Sequence, residues 1–334
     1  MLLYTAKDFK SDQYVRWCPG CGDHGAIGSL QKAMAEIGVD PNQIAVISGI
    51  GCSSRLPYYM NTYGFHTIHG RGAAIATGVK VANPDLMVWQ ITGDGDCLAI
   101  GGNHFIHSVR RNVDINVLLF NNEIYGLTKG QYSPTTKKGF ATKTSPFGTV
   151  ERPFRPAELT IGSRGTFFAR ALDVDIRTSV DVMIAAAKHK GTSVVEMLVN
   201  CIIFNDGAHG WLASKEHRED RMIVLKHGEP MIFGKEKNKG LVMDGFTIKV
   251  VTIGENGISK EDVLIHDCTC HDSTIHQKLA LMEGPDFPIA MGVIRSVDEE
   301  SYDEAVYNQV AQIQKVTKVK TFEDLLATLD TWEM

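Results

Sequence analysis

The chain has 334 residues, 43% of them hydrophobic, with a formal net charge of −5 and seven cysteines. That length allows about two domains, or one large α/β unit with an extension, and buries a core without covalent staples. Mild acidity without basic runs among aromatics gives no footprint for nucleic acid, and nothing approaches the roughly 18 consecutive apolar residues of a membrane helix. The opening MLLYTAKDFK lacks the basic region and apolar stretch of a secretion signal, so a cytoplasmic protein is the expectation. An odd cysteine count in a reducing compartment points to free thiols, catalysis or metal binding rather than disulfides.

In chain order, 26–37 (AIGSLQKAMAEI) has helical spacing and stops at Gly38, and 44–50 (IAVISGI) reads as a buried strand. Residues 72–83 form a helix rich in small residues, ended by Pro84. The run 86–92 (LMVWQIT) is strand-like, 98–111 is read as a helix, and 116–120 (NVLLF) as a strand. A helix over 180–190 and a strand over 193–199 follow. Between them, 128–164 is rich in Ser, Thr, Pro, Gly and Lys and reads as a long ordered loop. Past His227, GEPMIFGKEKNKG looks like a linker or hairpin leading into a less periodic region. The boundaries expected are 1–228 for the main domain and 229–334 for a C-terminal extension. Strands alternating with helices indicate a doubly wound, largely parallel α/β sheet. Such a sheet binds ligands beyond the carboxyl ends of its strands.

Those strand ends carry the unusual residues: GIGCSSR (49–55), GDGD (93–96), NNEIYGLTKG (121–130) and NCIIFNDG (200–207). A Gly-Asp-Gly turn lets backbone approach a diphosphate while the carboxylate of Asp94 reaches a divalent cation. Mg²⁺ prefers hard oxygens, and Asn122 and the carbonyl of Ile124 are placed to add two more. A surface turn is the competing reading of GDGD alone, and the Asn pair after the next strand favours the ligand reading. Asp96 is expected mainly to fix the loop. Cys18 and Cys21 form a CxxC, with Cys52 and Cys201 single and distant. Zinc usually takes paired CxxC units, whereas a [4Fe–4S] cluster accepts scattered thiolates, and the residues alone leave both open. Cys97 reads as packing, and DCTCH, with Cys268, Cys270 and His271, as ordinary strand or turn, with a second metal site as the alternative. Arg55 offers a guanidinium suited to bidentate grip on a carboxylate, with a surface ion pair as the alternative.

GDG, then roughly thirty residues, then NN resembles the diphosphate-binding motif of thiamine diphosphate enzymes. GDGDCLAIGGNH and NNEIYGLTKGQ, with WCPGCGDHG, GIGCSSR and HGRGAAIATG, are similar to the beta subunit of 2-oxoacid:ferredoxin oxidoreductases, a resemblance covering 17–210. SPFGTVERPF and NCIIFNDG resemble the 2-oxoglutarate branch. The resemblance implies the thiamine diphosphate-binding fold of the diphosphate-binding type. It implies cofactor contacts from Ile50, Gly51, Gly93, Gly95, Asp96, Asn122, Gly126 and Leu127, and Mg²⁺ on Asp94, Asn122 and Ile124. It also implies one [4Fe–4S] cluster on Cys18, Cys21, Cys52 and Cys201, with His69 near the diphosphate and Arg55 on the substrate carboxylate.

The implied reaction is reversible oxidative decarboxylation: a 2-oxoacid, coenzyme A and oxidised ferredoxin give acyl-CoA, CO₂ and reduced ferredoxin. In such enzymes a glutamate on a pyrimidine-binding half completes the site, and no segment here supplies that half. An alpha subunit carrying it is the expected partner, in a dimer of alpha-beta heterodimers, and the chain alone is expected to be inactive. Acidic ferredoxin calls for local positive charge, with Lys137, Lys138 and Lys143, or Lys235, Lys237 and Lys239, as candidate patches and a plain solvated surface as the alternative. A second carboxylate on the substrate wants a second cation, such as Lys129. Pyruvate or branched-chain oxoacids as substrates, and a non-catalytic metal-organised electron-transfer scaffold, are the other readings.

Overall fold

A computed structural model of the chain describes residues 3–328. Its strands are β1 (Ile44–Ser48), β2 (Tyr63–His66), β3 (Met87–Gly93), β4 (Asn116–Asn121), β5 (Phe167–Leu172), β6 (Ser193–Leu198), β7 (Met222–Leu225), β8 (Ile232–Phe233), β9 (Lys239–Asp244), β10 (Thr247–Thr252) and β11 (Ile289–Ser296). Its helices are α1 (Asp23–Ile37), α2 (Gly72–Ala82), α3 (Asp94–Leu98), α4 (Gly102–Arg111), α5 (Pro156–Gly162), α6 (Ile176–Lys188), α7 (Gly210–Ala213), α8 (Arg218–Arg221), α9 (Thr274–Leu281), α10 (Tyr302–Val316) and α11 (Phe322–Ala327).

Eight strands form one sheet in the order β2-β1-β3-β4-β6-β5-β11-β7, and β10-β9-β8 form a small antiparallel sheet. All neighbours in the large sheet are parallel except β11 against β5. The central strands β1, β4, β5 and β6 are buried along their whole length; β1 and β4 read as nearly continuous apolar runs, while β5 and β6 carry Arg170 and Glu196, which pair with each other. Their alternate side chains divide between two cores. Leu118, Phe120, Val195 and Met197 meet Leu30 and Met34 of α1 and Met183 of α6, while Val117, Leu119 and Val194 meet Ala76 of α2, Phe105 of α4 and Ile161 of α5. The result is three layers, with α1 and α6 on one face and α2, α4, α5 and α9 on the other.

Local signals explain the element ends. Gly38 closes α1 at φ +76, donating its N–H to Met34, a conformation glycine adopts without a Cβ penalty. Asp175 caps α6 through Thr178 N–H. The helix expected over 98–111 is broken. α3 ends at Leu98 and α4 starts at Gly102, because the turn between them packs against Gly70; a Cβ on Gly70 would sit 2.6 Å from Gly101 N. The loop expected over 128–164 contains α5, begun by Pro156 at its first turn. GEPMIFGKEKNKG is the hairpin alternative, β8 turning into β9. The region after residue 228 returns to the body: β11 lies between β5 and β7, and Leu241 and Ile248 join the same core as Phe105.

Candidate functional site

The strands β1, β3, β4 and β6 are consecutive and parallel, so the four loops that follow them emerge on one edge of the sheet. There the loops after β1, β3 and β4 line a cavity of about 500 Å³. The β1 loop contributes Ile50 and Gly51, the β3 loop Gly93, Asp94, Gly95 and Asp96, and the β4 loop Asn122, Ile124, Gly126 and Leu127. His69 lines it as well. The structure thus gathers these residues into one wall.

Asp94 is 3% exposed, and its Oδ2 accepts hydrogen bonds of 2.5 Å from both Ser133 Oγ and Thr135 Oγ1. Burial pushes its carboxyl up to about 6, against the pull of those two hydroxyls. A buried carboxylate destabilised in this way, on a wall of glycines, fits a cation that restores its charged form. Asn122 folds its own loop, with Oδ1 accepting from Ile124 N–H at 3.1 Å. Tyr125 lies across Gly95, where an added Cβ would meet the ring carbon Cε1 at 2.2 Å, and donates its hydroxyl to the Gly95 carbonyl. Only glycine permits that approach.

Asp96 staples the edge together. Its Oδ1 accepts from Ile50 N–H (3.0 Å), Gly70 N–H (2.7 Å) and His69 Nδ1 (2.7 Å), and its Oδ2 from Thr92 Oγ1 (2.8 Å). With Oδ1 accepting two backbone donors, the network assigns the His69 proton to Nδ1, which leaves Nε2 without that proton.

Cys52 and Cys201 approach each other at this cavity, which Cys52 lines. Cβ built on Gly126 would stand 3.5 Å from both the Cys52 and the Cys201 sulfurs, so these lie within twice that distance of each other. Burial, then the Asp23 carboxylate, raises the Cys21 thiol, which also feels Cys201 and Cys52. The same two causes push Cys52 up to about 12, and it feels Cys201 and Cys18. Cys18 is exposed, and its carbonyl accepts from Cys21 N–H at 3.0 Å, closing the CxxC turn. Gly22 N–H reaches the Asn200 carbonyl at 2.9 Å, tying that turn to the segment that carries Cys201. Among the described residues no three His, Cys, Asp or Glu side chains converge as they do around a single ion. A cation held by one carboxylate, one amide and one carbonyl needs no such convergence, and thiolates around a polynuclear cluster stand further apart than around zinc.

Some expected participants lie elsewhere. Arg55 and Lys129 do not line the cavity; Arg55 Nη1 donates to the Arg16 carbonyl at 3.3 Å. Lys137 pairs with Glu123 at 3.4 Å, which takes up part of its charge. Cys97 is packed in the core beside Leu98, and Cys268 is buried with its carbonyl accepting from Ser296 N–H. Sequence reading missed Ser133, Thr135, Tyr125 and Asp23. Asp23 lines the cavity, is 2% exposed and is pushed up to about 7 by burial. The SPTT run at 133–136 was the available signal, hidden inside a stretch read as loop composition.

The family described as "Thiamine pyrophosphate enzyme, C-terminal TPP binding domain" matches residues 49–197. The 2-oxoglutarate oxidoreductase subunit KorB of Mycobacterium tuberculosis is 45% identical over 98% of this chain and 87% of its own length. Subunit beta of 2-oxoacid:ferredoxin oxidoreductase 1 from Aeropyrum pernix is 44% identical over 65% of this chain and 67% of its own. A solved structure, 2-oxoglutarate:ferredoxin oxidoreductase from Magnetococcus marinus with 2-oxoglutarate, coenzyme A and succinyl-CoA bound, superposes with a TM-score of 0.79. It is 29% identical, and the match covers 98% of this chain and 97% of that one. With a thiamine pyrophosphate-binding domain on its parallel sheet and these relatives along its length, the chain belongs to the beta subunits of the 2-oxoacid:ferredoxin oxidoreductases.

Proposed function

We propose that the chain is the beta subunit of a 2-oxoglutarate:ferredoxin oxidoreductase. The reaction is CoA-dependent oxidative decarboxylation of 2-oxoglutarate to succinyl-CoA and CO₂ with reduction of ferredoxin, and it is reversible. The substrate reading is supported by the names and ligands of the relatives; the cofactor reading is supported by the site. Asp94, Asn122 and the Ile124 carbonyl would hold Mg²⁺ against the diphosphate, with Gly93, Gly95 and Gly126 giving backbone access to it. Cys18, Cys21, Cys52 and Cys201 would hold a [4Fe–4S] cluster. When bound, thiamine diphosphate is the electron sink for decarboxylation and the cluster takes electrons singly.

The chain's own residues bind and orient. Asp96 fixes the loops of Ile50, Gly70 and His69 in one register and sets the His69 tautomer. The Cys52 and Cys201 sulfurs flank Gly126, and Gly126 and Cys52 both line the cavity, so cofactor and cluster would share one wall. That shared wall is the observation that carries the proposal. An alpha subunit with the pyrimidine-binding half would complete the cavity, in a dimer of alpha-beta heterodimers, with Arg55 as the candidate contact to the substrate carboxylate. Among the described residues no helix is long and apolar enough to cross a membrane, and a cytoplasmic location is part of the proposal.

The test is anaerobic co-purification with the alpha partner and assay of ferredoxin reduction with coenzyme A. Turnover on 2-oxoglutarate well above pyruvate and branched-chain oxoacids, with iron and sulfide in the beta chain, is expected. Preference for pyruvate would reassign the substrate. Zinc in place of iron, with no turnover, would leave the scaffold reading.

A further inference from the structure

The Asp94 carboxylate is gripped from behind by a run with no assigned role, Ser133-Pro134-Thr135-Thr136. All three hydroxyl residues are buried, at 2%, 4% and 3% exposure. Thr135 Oγ1 stands 2.5 Å from Asp94 Oδ2 and 3.0 Å from Asn121 Oδ1, so one hydroxyl touches the β3 loop and the end of β4 together. Ser133 Oγ reaches the same Asp94 oxygen at 2.5 Å. Thr136 Oγ1 donates to the Glu123 carbonyl at 2.6 Å and accepts from Ser133 N–H at 2.7 Å. The run therefore grips residues on both sides of Asn122. Asn121 is itself anchored, with Nδ2 donating to Glu196 Oε1 at 2.8 Å and Arg170 Nε holding Glu196 Oε2 at 2.7 Å.

We propose that Thr135, with Ser133 beside it, is a positioning residue that sets the spacing and orientation of the two loops that ligate the divalent cation. The inference rests on the reading of Asp94 and Asn122 as cation ligands. Two hydroxyls on Oδ2 restrain rotation of the carboxylate, so that Oδ1 would be the oxygen left to face a cation. Mg²⁺ demands near-octahedral geometry and tolerates little drift in its ligands. The two loops follow different strands, and the Thr135 hydroxyl, whose single proton serves the nearer Asp94 oxygen, sits between them at the level of the carboxylate.

The test measures cation affinity rather than turnover. Mn²⁺, which electron paramagnetic resonance counts when free, replaces Mg²⁺ in the assembled alpha-beta complex with saturating thiamine diphosphate. Thr135→Val keeps the shape and removes the hydroxyl. Loss of a hydrogen bond that orients a metal-ligating carboxylate is expected to weaken Mn²⁺ binding about tenfold or more. Thr135→Ser, which restores the oxygen, should return within about twofold of the parent, a rescue that loss of packing alone does not predict. Parent-like affinity in Thr135→Val overturns the inference. If Thr135→Val fails to assemble, Ser133→Ala decides, because it removes one donor to Oδ2 and keeps the Thr135 hydrogen bond to Asp94. Severalfold weaker binding supports the inference, and unchanged binding overturns it. A parent complex that takes up no Mn²⁺ with thiamine diphosphate overturns the cation-site reading itself, and this inference with it.

Discussion

Gly126 offers a ruler for the cysteine group. A Cβ at this position lies 3.5 Å from the Cys52 sulfur and 3.5 Å from the Cys201 sulfur, ordinary van der Waals contact on both sides. Gly126→Ala should therefore keep the cluster. Valine adds two methyl carbons about one C–C bond further out, roughly 1.5 Å, which brings one within about 2–3 Å of a sulfur. Overpacking of this kind costs about 1–3 kcal/mol when only side chains must yield. Here the yielding atom is a proposed metal ligand, so the strain falls on the iron site. The assay is iron and sulfide per chain, the visible absorbance, and the electron paramagnetic resonance spectrum of the dithionite-reduced complex. Near-parental iron in Gly126→Ala and well under half in Gly126→Val is expected. Full iron with an unaltered spectrum in the valine variant would refute the reasoning, since the cluster sulfurs would then stand elsewhere.

Asp94→Asn removes charge with little change of shape; thiamine diphosphate binding with Mg²⁺, followed by tryptophan quenching, should weaken about 100-fold, as two or more charge-assisted contacts go. Without cation the same variant should melt at or above the parent, because burial disfavours the Asp94 charge. Arg170→Met strips the partner from Glu196, which is 2% exposed, and should cost about 3–5 kcal/mol in urea unfolding, while Arg170→Met with Glu196→Met should recover most of it. His209 is 7% exposed, donates from Nε2 to the Asn121 carbonyl at 3.0 Å, and is pushed down to about 4 by burial. The unfolded chain binds this proton first, so stability should fall by about 3 kcal/mol as pH drops from about 6.5 to about 4. His209→Gln should flatten that limb of the pH–stability curve; an unchanged curve would assign the acid sensitivity to other groups.

The parallel core was legible because strands buried on both faces leave largely apolar runs, as in VLLF of β4 and in SVVEML, where Glu196 is the one charged break. β2 was not, since YGFH is an exposed edge strand with no such run. β5, FFARAL, was masked by Arg170, whose charge is neutralised by Glu196 on the neighbouring strand, a pairing visible only once the sheet is assembled. β11 escaped because its partners precede it by long stretches of chain. At the site, Asp94, Asn122 and the glycines stood out because charge and Gly next to a buried strand are costly without a ligand. Ser133 and Thr135 looked like ordinary loop residues, because a hydroxyl's partner across the fold leaves no periodic trace. Arg55 fits carboxylate binding by side-chain type, and its Nη1 donates to the Arg16 carbonyl at the surface, a contact that sequence spacing does not reveal.

The place of β11 has a consequence for biosynthesis. Among the described residues, β7 pairs with no strand of the large sheet but β11, and the outer edge of β5 is closed by β11 alone. Arg170 likewise waits for the Ala290 carbonyl, 3.3 Å from its Nη1. While the ribosome is still making residues 226–288, a nascent chain carries one open strand edge and one unpaired strand, both templates for wrong pairing. Chains cut short before Ile289 should therefore aggregate rather than yield a smaller working unit.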